Sequence, residues 1–157
     1  MAVRSSEPHG APATRVAVVG GTRLERLSHT ARARLAVEIL AAYAQSRRAL
    51  RRAPIETVVA SLRSRSPSAA TPAAQSLAEA RRLGRAVTRL LAHLPGDTRC
   101  LVRSLVLTRL LANRGIQAKL VIGARTTPTF LAHAWVEHDG HPVLDPGDEP
   151  FGRLVEL

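Results

Sequence analysis

Apolar positions recur along this chain in two distinct rhythms. From Leu24 to about Arg52 they follow a helical period: Leu27, Ala31, Leu35, Ile39 and Ala42, flanked by Leu24, Val37 and Leu40. Arg32, Arg34, Glu38, Arg47 and Arg48 fill the polar positions. Alanines dilute the apolar face, which favours packing on a core over lying on a membrane surface, the alternative for such a helix. Pro54 suits the first turn of a second helix, Ile55 to about Arg63. Gln75 to Leu94 predicts a third, with Leu77, Leu83, Val87, Leu90 and Leu91 inward and Pro95-Gly96 as its stop. Asp97 and Thr98 can cap a fourth helix, about Thr98 to Asn113. Its apolar face is broad: Leu101, Val102, Leu105, Val106, Leu110 and Leu111. Gly115 suits a left-handed exit from it.

The rhythm then shortens. Ile116 to Ala124 predicts a strand, Leu131 to Glu137 a second and Pro142 to Leu144 a third. Asp139-Gly140 between the last two is a strong hairpin signal, because both residues tolerate positive φ. At the other end, residues 1–14 carry Pro8, Gly10 and Pro12 with little apolar content and predict a disordered tail. Arg15 to Val19 is strand-like and ends at Gly20-Gly21, without the spacing of a phosphate-binding loop. Prolines and serines from Arg65 to Pro72 mark a linker. The division is therefore a tail at 1–14, a helical region at 15–66, a linker at 67–74, and a unit at 75–157 that carries the chemistry.

Composition narrows the classes. The chain has 157 residues, 45% of them hydrophobic and only 3% aromatic, so Leu, Val, Ala and Ile must build the core. A single cysteine excludes an internal disulfide and any multi-thiolate zinc site, and fits a reducing cytoplasm. The N-terminus lacks the apolar run of a signal peptide, and no stretch approaches the length of a membrane span. The formal charge is +11, and Lys119 is the sole lysine among 23 basic residues. Arginine on this scale could serve an anionic partner or reflect a solvated surface with biased codon usage. No stacking aromatics accompany it, which argues against nucleic acid.

Three side chains propose a reaction. Cys100 falls in the first turn of the fourth helix, where outward N–H groups and the macrodipole favour negative charge on sulfur. Arg99 and Arg103 add positive charge nearby. His133 interrupts an otherwise apolar strand, whereas His9, His29 and His93 have no chemical company. His138 and His141 flank the tight turn, where solvent exposure is expected. The Asp139-Gly140 hairpin puts His133 roughly opposite Pro146, and so beside Asp145 within one residue of register. Asp148 is the fallback. A sulfur nucleophile, an imidazole base and a carboxylate to orient it form a thiol-enzyme set. Strand alternation places Trp135 on the same face as His133, as wall of the site or filler of the core. Close metal-ligand spacing is absent, and neither a metal nor a cofactor is expected.

The ordered segments Cys100 to Leu107, Leu110-Leu111, Arg114-Gly115-Ile116, Leu120 to Gly123, Ala132 to Glu137 and Val143-Leu144-Asp145 carry a resemblance. The chain resembles the transglutaminase-like leader peptidases of lasso peptide biosynthesis, of the microcin J25 type. The resemblance implies an α+β fold with a papain/transglutaminase-like core, a nucleophile helix packed on a small antiparallel sheet, here preceded by a helical N-terminal region. It implies Cys100 as nucleophile, His133 as base and Asp145 as orienting acid of a cysteine peptidase. The substrate would be the leader region of a ribosomally made precursor, cut before an ATP-dependent lasso cyclase closes the macrolactam. The N-terminal half lacks room for a leader-recognition module, which implies a separate leader-binding protein. Pro146-Gly147 and the lack of an upstream oxyanion glutamine depart from the pattern. Another thiol acyltransferase on the same core, and a non-catalytic basic binding module, are the competing readings.

Overall fold

A computed structural model describes residues 28–63, 73–94, 100–144 and 151–157. Four helices precede a four-stranded sheet: α1 (His29–Leu50), α2 (Ile55–Arg63), α3 (Ala73–Leu91), α4 (Cys100–Ala112), then β1 (Lys119–Arg125), β2 (Leu131–His138), β3 (His141–Pro142) and β4 (Gly152–Glu156). The strand order is β3-β2-β1-β4 and every pairing is antiparallel. The α+β expectation is therefore met.

Local chemistry explains the boundaries. Ser28 caps α1 by accepting the Ala31 N–H on its hydroxyl at 3.2 Å. The end of α4 is a Schellman motif. Ile116 N–H reaches the Leu111 carbonyl and Gly115 N–H the Ala112 carbonyl, each at 3.0 Å, with Gly115 at φ +69°. Asp139 and Gly140 both take positive φ, 48° and 75°, as a tight hairpin between antiparallel strands requires. The hairpin register is the expected one, Glu137 facing Pro142 and His138 facing His141. The third strand is shorter than its apolar run: beyond Pro142, among the described residues, the Val143 and Leu144 N–H groups both reach back to the Val136 carbonyl.

α4 is the hub. Leu105, Val106, Leu107, Leu110 and Leu111 are fully buried, because α1, α2, α3 and one sheet face all pack on it. Leu101 and Leu105 meet Leu120 and Ile122, while Val106, Leu107 and Leu110 meet Val136 and Val143. α1 packs on the hub through Ile39 and Ala42, and turns Val37 and Leu40 outward. Charge fastens the bundle: the Arg114 guanidinium grips Glu38 with two hydrogen bonds of 2.7 and 2.8 Å and lies 3.6 Å from Glu79.

Two further features differ from the sequence reading. β4 is an added strand; it pairs along β1, with a register shift at Ile122/Gly123, and puts β1 inside the sheet. His138 is buried, where its place beside the turn had predicted exposure. It shares the face of Ala134 and Val136, which turns it inward. Its Nδ1 lies 2.6 Å from the Gln117 carbonyl, and its Nε2 lies 2.7 Å from the Ser76 hydroxyl on α3. A carbonyl only accepts, so Nδ1 carries the proton and Nε2 accepts from Ser76 in the neutral ring. His141 is exposed as expected.

Candidate active site

Cys100 is the first residue of α4 and is half-buried. One helical turn on, and on the same side of the helix, the buried Ser104 hydroxyl donates to the Ala134 carbonyl of β2 at 3.0 Å. Thr108, another turn along, returns its hydroxyl to the Ser104 carbonyl at 2.9 Å. Later residues of α4 pack with Val136 and Val143. This progression stands the first turn of α4, with the thiol, at the end of β2 where His133 lies.

His133 is half-buried and belongs to an aromatic stack. Its ring lies 5.3 Å from the Phe151 ring and 6.2 Å from the Trp135 ring, both near-parallel. His133, Trp135 and Glu137 share the sheet face turned away from α4, whereas Ala134 and Val136 face the helix. Gly123 sits under this stack. A Cβ there would come within 2.9 Å of the Trp135 ring and 2.8 Å of the Gly152 carbonyl, so only glycine lets the indole lie flat on β1. Trp135 is 4% exposed and stacks beside the imidazole, so it fills the core.

The indole is held by a carboxylate. Trp135 Nε1 donates to Glu137 Oε1 at 2.8 Å, and the Arg153 guanidinium of β4 donates to the same oxygen. Arg153 also bonds Glu156, which Lys119 approaches at 3.3 Å. Hydrogen bonds from Arg153 and then from Lys119 hold the Glu156 carboxyl below its ordinary range. The chain Trp135–Glu137–Arg153 thus ties the histidine's strand to β4 across β1.

Of the expected triad, the structure brings the helix of Cys100 against the strand of His133 and sets the imidazole in the stack. Asp145 and its fallback Asp148 lie outside the described residues, as do Pro146-Gly147, the predicted caps Asp97 and Thr98, Arg99, the N-terminal tail and most of the predicted linker. Phe151, Glu137 and Arg153 were not singled out from sequence. The signal for Glu137 was its place two residues beyond Trp135 on one strand face. Among the described residues no group of His, Cys, Asp and Glu could hold a metal ion, and no helix is long and apolar enough to cross a membrane.

Comparison with known proteins agrees with this architecture. No solved structure matches the chain. The microcin J25-processing protein McjB of Escherichia coli is 50% identical over 46 residues, a stretch that is 29% of this chain and 22% of that protein. The chain thus matches well under two thirds of that relative's length. The model of the transglutaminase-like superfamily matches residues 40–156, from the middle of α1 to the end of β4. A helix that begins at a lone cysteine, docked on a strand that carries a histidine, lies inside that match, and the chain belongs to the transglutaminase-like superfamily.

Proposed function

We propose that this protein is a cysteine peptidase that removes the leader from a ribosomally made lasso peptide precursor. Cys100 is the nucleophile, His133 the base and Asp145 the carboxylate that orients it. The observation that supports the reading is that the helix beginning at Cys100 docks, through Ser104 and Ala134, on the strand that carries His133, whose ring lies on the opposite sheet face, in a chain that shares a stretch with a microcin J25-processing protein.

The chemistry is acyl transfer to water. His133 takes the proton of the Cys100 thiol, and the sulfur bonds to the carbonyl carbon at the leader–core junction. The C–N bond breaks as imidazolium His133 gives its proton to the departing amine. His133 then takes a proton from water, whose oxygen attacks the thioester and releases the leader carboxylate and the thiol. Backbone N–H groups in the first turn of α4 are the oxyanion donors in this scheme. Trp135, Phe151 and Glu137 position the imidazole and do not touch the reacting atoms. A separate leader-binding protein presents the precursor, the lasso cyclase acts next, and the setting is cytoplasmic.

Precursor incubated with the leader-binding protein and this chain should yield free leader, read by mass spectrometry. Cys100→Ala should abolish it. Cleavage at an unchanged rate by the alanine variant removes Cys100 from the mechanism. A product joined to an added amine would mark an acyltransferase instead.

A further inference from the structure

At the end of α1, Arg47, Arg48, Arg51 and Arg52 line a cavity of about 730 Å³ with Ala44 and Gln45. None of these six residues carries a carboxylate. Three arginines elsewhere among the described residues are taken up by acids: Arg82 by Glu79, Arg114 by Glu38, and Arg153 by Glu137 and Glu156. Charge complementarity to the helix macrodipole accounts for Arg47 and Arg48 in the last turn. Arg51, the C-cap, and Arg52 follow the helix and line the same hollow, so four cations gather where the dipole alone asks for one or two. One member is preset: the Arg47 guanidinium lies 5.7 Å over the Tyr43 ring and donates to its hydroxyl at 3.0 Å.

The position of this hollow matters. α1 runs antiparallel to α4, with Glu38 on Arg114, Gln45 on Arg109, and Ala49 and Leu50 beside Leu101 and Leu105. The basic end of α1 therefore stands at the same end of the hub helix as Cys100. Guanidinium forks match carboxylates two bonds at a time. Tyr43 is the aromatic beside the cluster and is engaged by Arg47, which leaves no platform for stacking bases.

We propose that this hollow binds an acidic stretch of the peptide substrate, holding the chain while its scissile bond lies at Cys100. The inference rests on the peptidase reading for the identity of the ligand, and its test is independent of turnover. A fluorescein-labelled, glutamate-rich peptide is titrated into the Cys100→Ala protein and followed by anisotropy. Binding should weaken steeply with salt, and Arg51→Glu/Arg52→Glu should weaken it about tenfold or more. Both arginines are exposed, and far-UV circular dichroism confirms that the variant folds. Equal binding by the double variant overturns the proposal, as does an oligothymidylate of equal charge that binds as tightly as the peptide. Loss of the Cys100 mechanism alone would leave this binding in place.

Discussion

The Ser104 hydroxyl on the Ala134 carbonyl is the polar clamp between the helix that begins at Cys100 and the strand that holds His133. Both partners are buried in an otherwise apolar contact, so the bond fixes the helix along the strand where dispersion alone would let it slide. Ser104→Ala should keep the fold and lower stability by about 1 kcal/mol, read as a shift in the urea midpoint. Leader release should fall by more than the unfolded fraction explains. A variant as fast as the parent at saturating precursor would show that the clamp has no part in placing the thiol.

Glu137 is buried, and its Oε1 is shared by the Trp135 indole N–H and the Arg153 guanidinium. Arg153→Ala leaves a buried carboxylate with the indole as its remaining described donor, while Glu137→Gln removes the charge and keeps an acceptor for the indole. The arginine variant should therefore be the less stable of the two. Glu137→Ala, which strands Trp135 Nε1 as well, should cost about 2 kcal/mol. Thermal melts with tryptophan fluorescence report both effects, since Trp135 is the sole tryptophan. An Arg153→Ala protein as stable as Glu137→Gln would mean that the carboxylate does not need the cation.

Much of this framework is legible in the chain. Pro54 and the apolar spacing fix α2 at both ends, and Gly115 and Asp139-Gly140 take the positive φ that their residue types suggest. β4 is not legible, because Gly152–Glu156 is five exposed residues whose reason to be a strand is the open edge of β1. The burial of His138 required strand parity to outweigh proximity to the turn. Its partners Ser76 and Gln117 come from α3 and from the loop before β1. The clamp was illegible for the same reason: a serine inside an apolar helix names no acceptor until the strand is beside it.

Acid should loosen β4 before the core. The Glu156 carboxyl is held below its ordinary range chiefly by Arg153, then by Lys119. A depressed carboxylate stabilises the fold above its unfolded-state value, and that contribution is lost as pH falls through the lower folded value. Glu156 is exposed on β4, so the effect is modest and salt-sensitive. Amide exchange in β4 should quicken on acidification through the carboxylate range, and Glu156→Gln should remove part of that response. An unchanged acid response in the glutamine variant would place the sensitivity elsewhere.

Gly84 carries the closest approach in the described fold. A Cβ at this position of α3 would lie 2.1 Å from the Val143 carbonyl oxygen, far inside contact, and 3.6 Å from Leu107. In an exposed helix, Gly to Ala gains about 1 kcal/mol from propensity. Here the obstacle is backbone, and Val143 is tied to Val136 by its own N–H at 2.9 Å, so relief means moving the segment that leads toward Asp145. Gly84→Ala should therefore destabilise by about 1–3 kcal/mol despite its better helix former. Leader release should fall with it, because the displaced segment leads into the stretch that carries the proposed orienting acid. A more stable Gly84→Ala protein with full activity would show that α3 can withdraw from β2 without consequence, and would separate the helical layer from the site.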